Sequence, residues 1–174
     1  MNHILIVVDI QNDFVDGTLG TPEAISIIDN SVNKIESFDG EIFITYDTHF
    51  PDYLSTSEGK KLPVEHCVKG TKGWELNEQI TDALKSKKWT AVEKPTFGST
   101  LLPKMIGELM GDKDFDITLI GLCTDICVAS NALILKANFP EKEIYVDSSC
   151  CAGVTVDSHN AALTTMRMCQ INVI

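Results

Sequence analysis

Three residues of this chain have types and settings suited to covalent chemistry at a carbonyl carbon. They are Cys127 in Gly121-Leu122-Cys123-Thr124-Asp125-Ile126-Cys127-Val128, Asp9 directly after the apolar run Ile4–Val8, and Lys94 just before Pro95. A cysteine attacks as its thiolate. Cys127 falls in the first turn of a helix expected from Thr124, where unpaired backbone N–H groups and the helix dipole favour an anion, so its thiol pKa is predicted to be lowered. Asp9, partly desolvated at a strand tip, is suited to exchange a proton with that thiol. Lys94 could hold both groups in place and favour negative charge on a substrate. Each residue also has a plainer reading: Cys127 as a small core residue, Asp9 or Asp13 as a turn cap, and Lys94 as a solvated surface lysine.

Asp47, His49 and His66 form a second constellation, offering oxygen and nitrogen donors to a divalent metal such as Zn, Fe or Mn. The competing reading is a solvated loop with incidental histidines. Cys67, beside His66, reads as a packing residue. Cys123 and Cys127 lack the Cys-x-x-Cys redox spacing, and no cysteine pair makes a zinc-ribbon signature. No Gly-x-Gly-x-x-Gly or Walker pattern follows a strand, so no nucleotide cofactor is expected.

Something must bring these groups together. Apolar, β-branched runs at Ile4–Val8, Glu41–Tyr46, Trp89–Val92, Ile117–Ile120, Glu143–Val146 and Ile171–Ile174 predict six strands. Between several of them, helical spacing predicts helices over roughly Pro22–Ser37, Trp74–Lys85, Ser99–Met110, Thr124–Lys136 and Val156–Met168, the first opening on a Thr21 cap with Pro22 at its first position. Near-continuous apolar strands joined by helices imply a doubly wound α/β domain: three α/β/α layers around a six-stranded, mainly parallel sheet, in one domain over residues 1–174. In such sheets ligands sit beyond the carboxyl ends of the strands. Asp9, Asp47 with His49, Lys94, and Cys123 with Cys127 follow four strands in a row. Asp47–Lys72 breaks the rhythm as a long polar stretch, a length that in compact domains usually carries function.

Composition narrows the partners. A formal charge of −11 repels phosphate backbones and anionic lipid, so neither nucleic acid nor membrane is expected. The run Ile4–Val8 is too short for a signal-peptide core, and Met1-Asn2-His3 lacks Lys or Arg. Six cysteines without the spacing of a small secreted scaffold predict reduced thiols in a cytoplasmic protein.

With these residues in hand, the sequence resembles the isochorismatase-like cysteine hydrolases, which include nicotinamidases and carbamoylsarcosine amidases. The segments that carry the resemblance are Val8–Phe14, Thr45–His49, His66–Thr71, Glu93–Phe97, Gly121–Val128 and Asp147–Gly153. The resemblance implies a triad of Asp9, Lys94 and Cys127, a cis peptide at Leu122-Cys123, and an oxyanion hole from the N–H groups of Cys123 and Cys127. It implies hydrolysis of a small carboxamide, nicotinamide first, to the acid and ammonia through a thioester. It also places a metal on Asp47, His49 and His66, puts Phe14 and Phe97 as walls for a flat substrate, and suggests a homo-oligomer. Nicotinamidases usually add a histidine between the last two metal ligands; Asp52–Glu65 contains none, leaving Tyr53, Ser55 or water to fill in. The alternatives are a carbamoyl or ureido amide, vinyl-ether hydrolysis, a non-catalytic binding module on the same fold, and thiol redox chemistry at Cys123 and Cys127.

Overall fold

The apolar runs build the strands, and the computed structural model describes all 174 residues. The strands are β1 (Asn2–Val8), β2 (Glu41–Asp47), β3 (Trp89–Lys94), β4 (Phe115–Leu122), β5 (Ile144–Ala152) and β6 (Asn172–Val173). The helices are α1 (Asn12–Val15), α2 (Pro22–Ser26), α3 (Ile28–Ser37), α4 (Ser57–Lys61), α5 (Glu78–Leu84), α6 (Leu101–Met110), α7 (Ala129–Asn138) and α8 (Val156–Met168). One sheet, in the order β3-β2-β1-β4-β5-β6, runs parallel throughout. None of the helices is long and apolar enough to cross a membrane.

Strand periodicity sends successive side chains to opposite faces, and both faces are covered. Ile4, Ile6 and Val8 of β1 pack with Leu102 and Ile106 of α6, Leu135 of α7 and Leu163 of α8. Leu5 and Val7 pack on the other face with Ile28 and Ile35 of α3 and Ile80 of α5. Each such side chain contributes roughly 1.5–3 kcal/mol by leaving water, so this two-sided burial fixes the strand tips. The strand order reverses between β1 and β4, which opens a crevice beyond their carboxyl ends. Gly121 allows the close approach there: it has φ 120°, and a Cβ on it would fall 2.1 Å from the Val8 carbonyl oxygen.

Several elements differ from the periodicity. The single helix expected over Pro22–Ser37 is two, α2 and α3, with Ile27 between them; the Thr21 cap holds, its Oγ1 accepting from the Ala24 N–H at 3.0 Å. The helix expected from Trp74 starts only at Glu78, because Leu76 pairs with Gln11 and the Asn77 N–H is taken by the Ile10 carbonyl. The long polar stretch contains a 3-10 turn at Tyr53–Ser55 and the short α4. The helix expected from Thr124 opens as a π-turn over Thr124–Val128 before continuing as α7.

Candidate functional site

The strand tips deliver the candidate catalytic groups to one buried point. Asp9 follows β1 in the left-handed region, φ 49°, a conformation that costs a non-glycine residue about 1 kcal/mol or more and directs the carboxylate across the sheet. Thr45 of β2 donates its hydroxyl to Asp9 Oδ1 at 2.6 Å, and Lys94 Nζ, from the tip of β3, lies 2.6 Å from Oδ2. The same Nζ sits 3.5 Å from Cys127 Sγ and 3.4 Å from Asp47 Oδ1. Cys127 is carried on the π-turn after β4. Asn131, one turn on, donates from Nδ2 to the Cys127 and Phe97 carbonyls and accepts the Ser99 N–H at Oδ1. The Leu122-Cys123 peptide is cis, as the resemblance implied.

Burial governs the electrostatics. Asp9, Lys94 and Cys127 are 0, 1 and 4% exposed. Burial raises the Asp9 carboxyl above its ordinary value despite the ammonium of Lys94 beside it. For Lys94 burial pulls the other way, but Asp9, Cys127 and Asp47 outweigh it and hold the amine protonated. The lowered thiol pKa expected for Cys127 is corrected here: burial pushes it well up, Asp9 adds to that, and Lys94 only partly opposes. Desolvation in a sealed crevice exceeds what one turn of aligned amides returns. Cys123, half-buried, is pushed up by desolvation to about 12.

A second cluster abuts this one. Ligand atoms of Asp47, His49, Glu58 and His66 all lie within 4.8 Å of one another. His49 Nε2 is 3.1 Å from Asp47 Oδ2 and 3.7 Å from Glu58 Oε1; His66 Nε2 is 3.6 and 3.8 Å from the same two oxygens. The Val64 carbonyl, 2.8 Å from His66 Nδ1, can only accept, so Nδ1 carries a proton and Nε2 faces the cluster. Burial raises Glu58, with Asp47 adding to it. Burial would also raise Asp47, but hydrogen bonds from His49 and His66 and the charge of Lys94 hold it below the carboxylate range. Two imidazoles and two carboxylates crowded into one half-buried space match the donor set of a divalent transition metal, whose charge would relieve the paired carboxylates.

Glu58 stands beside Asp47, His49 and His66, where the sequence left a further donor to Tyr53, Ser55 or water. The Tyr53 hydroxyl instead donates to the Leu62 carbonyl at 2.9 Å. Sequence reasoning also missed Thr45 and Asn131. The only sign of Glu58 was an acidic residue on the stretch between the histidines.

Cys127 opens on a cavity of about 550 Å³, lined among others by Phe14, Asp47, His66, Phe97, Leu122 and Cys123. The Phe14 ring lies 5.5 Å from that of His66, and Phe97 is 45% exposed at the mouth. Thus Cys127, the expected metal donors Asp47 and His66, and both expected aromatic walls line one cavity; Asp9, Lys94 and His49 are outside its lining, Lys94 lying against Cys127 and Asp9, and His49 against Asp47. A larger, open groove beside Trp74 and Trp89 includes none of the triad. Cys67 is buried with its thiol pushed up, as suits a packing residue.

Known proteins share this arrangement of elements. Residues 3–174 match the family described as Isochorismatase domain. The nicotinamidase/pyrazinamidase of Mycobacterium tuberculosis is 26% identical over 193 residues, spanning 98% of this chain and 97% of the relative. Among solved structures, the pyrazinamidase/nicotinamidase of Streptococcus mutans superposes with a TM-score of 0.84 at 25% identity, covering 99% of this chain and all of the other. The pyrazinamidase of Pyrococcus horikoshii, solved in complex with zinc, gives 0.81 at 25% identity and covers 100% and 99%.

Proposed function

The chain belongs to the isochorismatase family, and from that premise we propose that it is an amidohydrolase cleaving a small carboxamide, nicotinamide foremost, to the acid and ammonia with Cys127 as nucleophile. The observation that carries this reading is the meeting of Asp9, Lys94 and Cys127 where Cys127 opens on a largely apolar cavity, with Asp47, Glu58 and His66 of a metal-type donor set in its lining. The nicotinamidase relatives favour the substrate.

The raised pKa values suit a thiol that loses its proton as it attacks rather than beforehand. Asp9 takes the Cys127 proton while Sγ bonds to the amide carbon, and Lys94 stays cationic beside both. The N–H groups of Cys123 and Cys127 receive the oxyanion. Asp9 then returns the proton to the nitrogen as the C–N bond breaks, ammonia leaves, and a thioester remains. A water deprotonated by Asp9 attacks the thioester; the C–S bond breaks, the thiol regains its proton, and the acid departs. Phe14 and Phe97 sandwich the flat ring. When bound by Asp47, His49, Glu58 and His66, a divalent cation supplies a Lewis-acid contact for a lone pair on that ring. The protein is proposed to work in the cytoplasm as a homo-oligomer, which sedimentation would test.

The deciding experiment measures ammonia release from nicotinamide and a panel of other small amides by wild type and Cys127→Ala under reducing conditions. Release by wild type, cut by about 10⁴-fold or more in an alanine variant with unchanged circular dichroism, is the expected result. An active alanine variant would overturn the nucleophile. Release from another amide alone would move the substrate.

A further inference from the structure

Gln11 and Asp13 precede and begin α1, and neither lines the cavity. Gln11 is fully buried, and its amide grips the main chain of Asp47 on both sides: Oε1 accepts the Asp47 N–H at 2.8 Å, while Nε2 donates to the Asp47 carbonyl at 2.9 Å and the Trp74 carbonyl at 2.8 Å. Asp13 reaches the main chain beside the histidines. Its Oδ2 accepts the Cys67 N–H at 2.8 Å, and the Cys67 carbonyl accepts the His49 N–H at 2.9 Å. One residue, Cys67, thus follows His66 directly and holds His49 through its carbonyl. It does so in the left-handed region, φ 46°, where a non-glycine residue stays only if anchored.

The turn-cap reading of Asp13 accounts for its contacts to Thr18, at 3.4 Å from the N–H and 3.3 Å from the hydroxyl, but not for a partner 54 residues away. Gly73 closes the grip from the other side. A Cβ there would stand 2.1 Å from Asp13 Oδ2, so the carboxylate has room to face Cys67 only because position 73 has no side chain.

We propose that Gln11 and Asp13 are positioning residues for the metal-binding side chains, Gln11 fixing Asp47 and Asp13 fixing His49 and His66 through the main chain of Cys67. This rests on the metal reading above. Outer partners of this kind govern how tightly ligands close on a metal, and their loss weakens affinity by about 10–100-fold.

The test measures Zn²⁺ affinity by competition with a chromogenic chelator for wild type, Asp13→Asn, Gln11→Ala and Gly73→Ala, alongside melting temperature and the alkylation rate of Cys127. Each variant is expected to bind Zn²⁺ about 10–100-fold more weakly while Cys127 alkylates within about twofold of wild type, with KM rising more than kcat falls. Gly73→Ala changes neither named residue and brings a Cβ against the Asp13 carboxylate, so it carries the test if Asp13→Asn does not fold. Variants that melt earlier yet bind Zn²⁺ as tightly as wild type would reduce the two residues to structural roles and overturn the inference. Wild type that binds no Zn²⁺ would overturn the metal reading and take this inference with it.

Discussion

The candidate triad and the candidate metal donors adjoin one another but are built differently. Asp9, Lys94 and Cys127 sit at or just past the tips of β1, β3 and β4, sealed by the two core faces. Of the donors, only Asp47 belongs to a strand; His49, Glu58 and His66 come from the segment between β2 and α5. Under the proposed function, reaction chemistry rests on the strand frame and ring recognition on a loop. Asp47 joins them, one oxygen toward Lys94 and the other toward the histidines.

The sharpest way to break this division is at the frame. Lys94→Met removes the cation between two buried carboxylates, and leaving a buried charge uncompensated costs about 3–5 kcal/mol. The expected outcome is lost turnover together with a lower denaturation midpoint; an unchanged midpoint would show that the carboxylates do not depend on the lysine. A smaller effect should appear in the free enzyme's thiol. Because burial raises the Cys127 pKa, its thiolate fraction at pH 7 is below that of an ordinary cysteine and climbs with pH. Alkylation of the Cys127 peptide, followed by mass spectrometry, should rise by about 100-fold from pH 7 to 9, tenfold per pH unit. A plateau below pH 8 would mean that Lys94 and the turn dipole win instead. The smallest expected effect lies on the loop: Glu58→Gln keeps an oxygen donor but removes a charge, so Zn²⁺ affinity should fall by about tenfold while alkylation of Cys127 stays unchanged. A matching fall in alkylation would dissolve the separation of frame and loop.

What the sequence disclosed follows the same division. Asp9, Lys94 and Cys127 could be picked out because each follows an apolar run whose period is visible, and the sheet order then places them together. Pro22 and Thr21 announced a helix start, but nothing in the spacing announced the break at Ile27. Glu58 stayed hidden because Ser57–Lys61 is polar and too short for a period, and its convergence on the histidines depends on the path of the chain. Asn131 lies within a helix, where its role depends on which main-chain groups pass nearby. The sign of the Cys127 shift was misread for another reason: helix position can be read along the chain, whereas desolvation is known only once everything around the thiol is in place.

The segment bearing Glu58 is closed at its base, where His49 and Val68 pair as a single bridge and the His49 carbonyl accepts the Lys69 N–H at 2.9 Å. Once the ends of a loop are pinned, doubling its length costs only about 0.6 kcal/mol of closure entropy. Insertions between Phe50 and Glu65 can therefore accumulate in a lineage at little thermodynamic expense, changing which molecules fit while the strand tips stay in place. One residue inserted between Val8 and Asp9 has no such latitude, since it would turn the carboxylate away from its lysine. The ancestry of substrate range in this architecture should accordingly be written in loop lengths, and that of the reaction in strand registers.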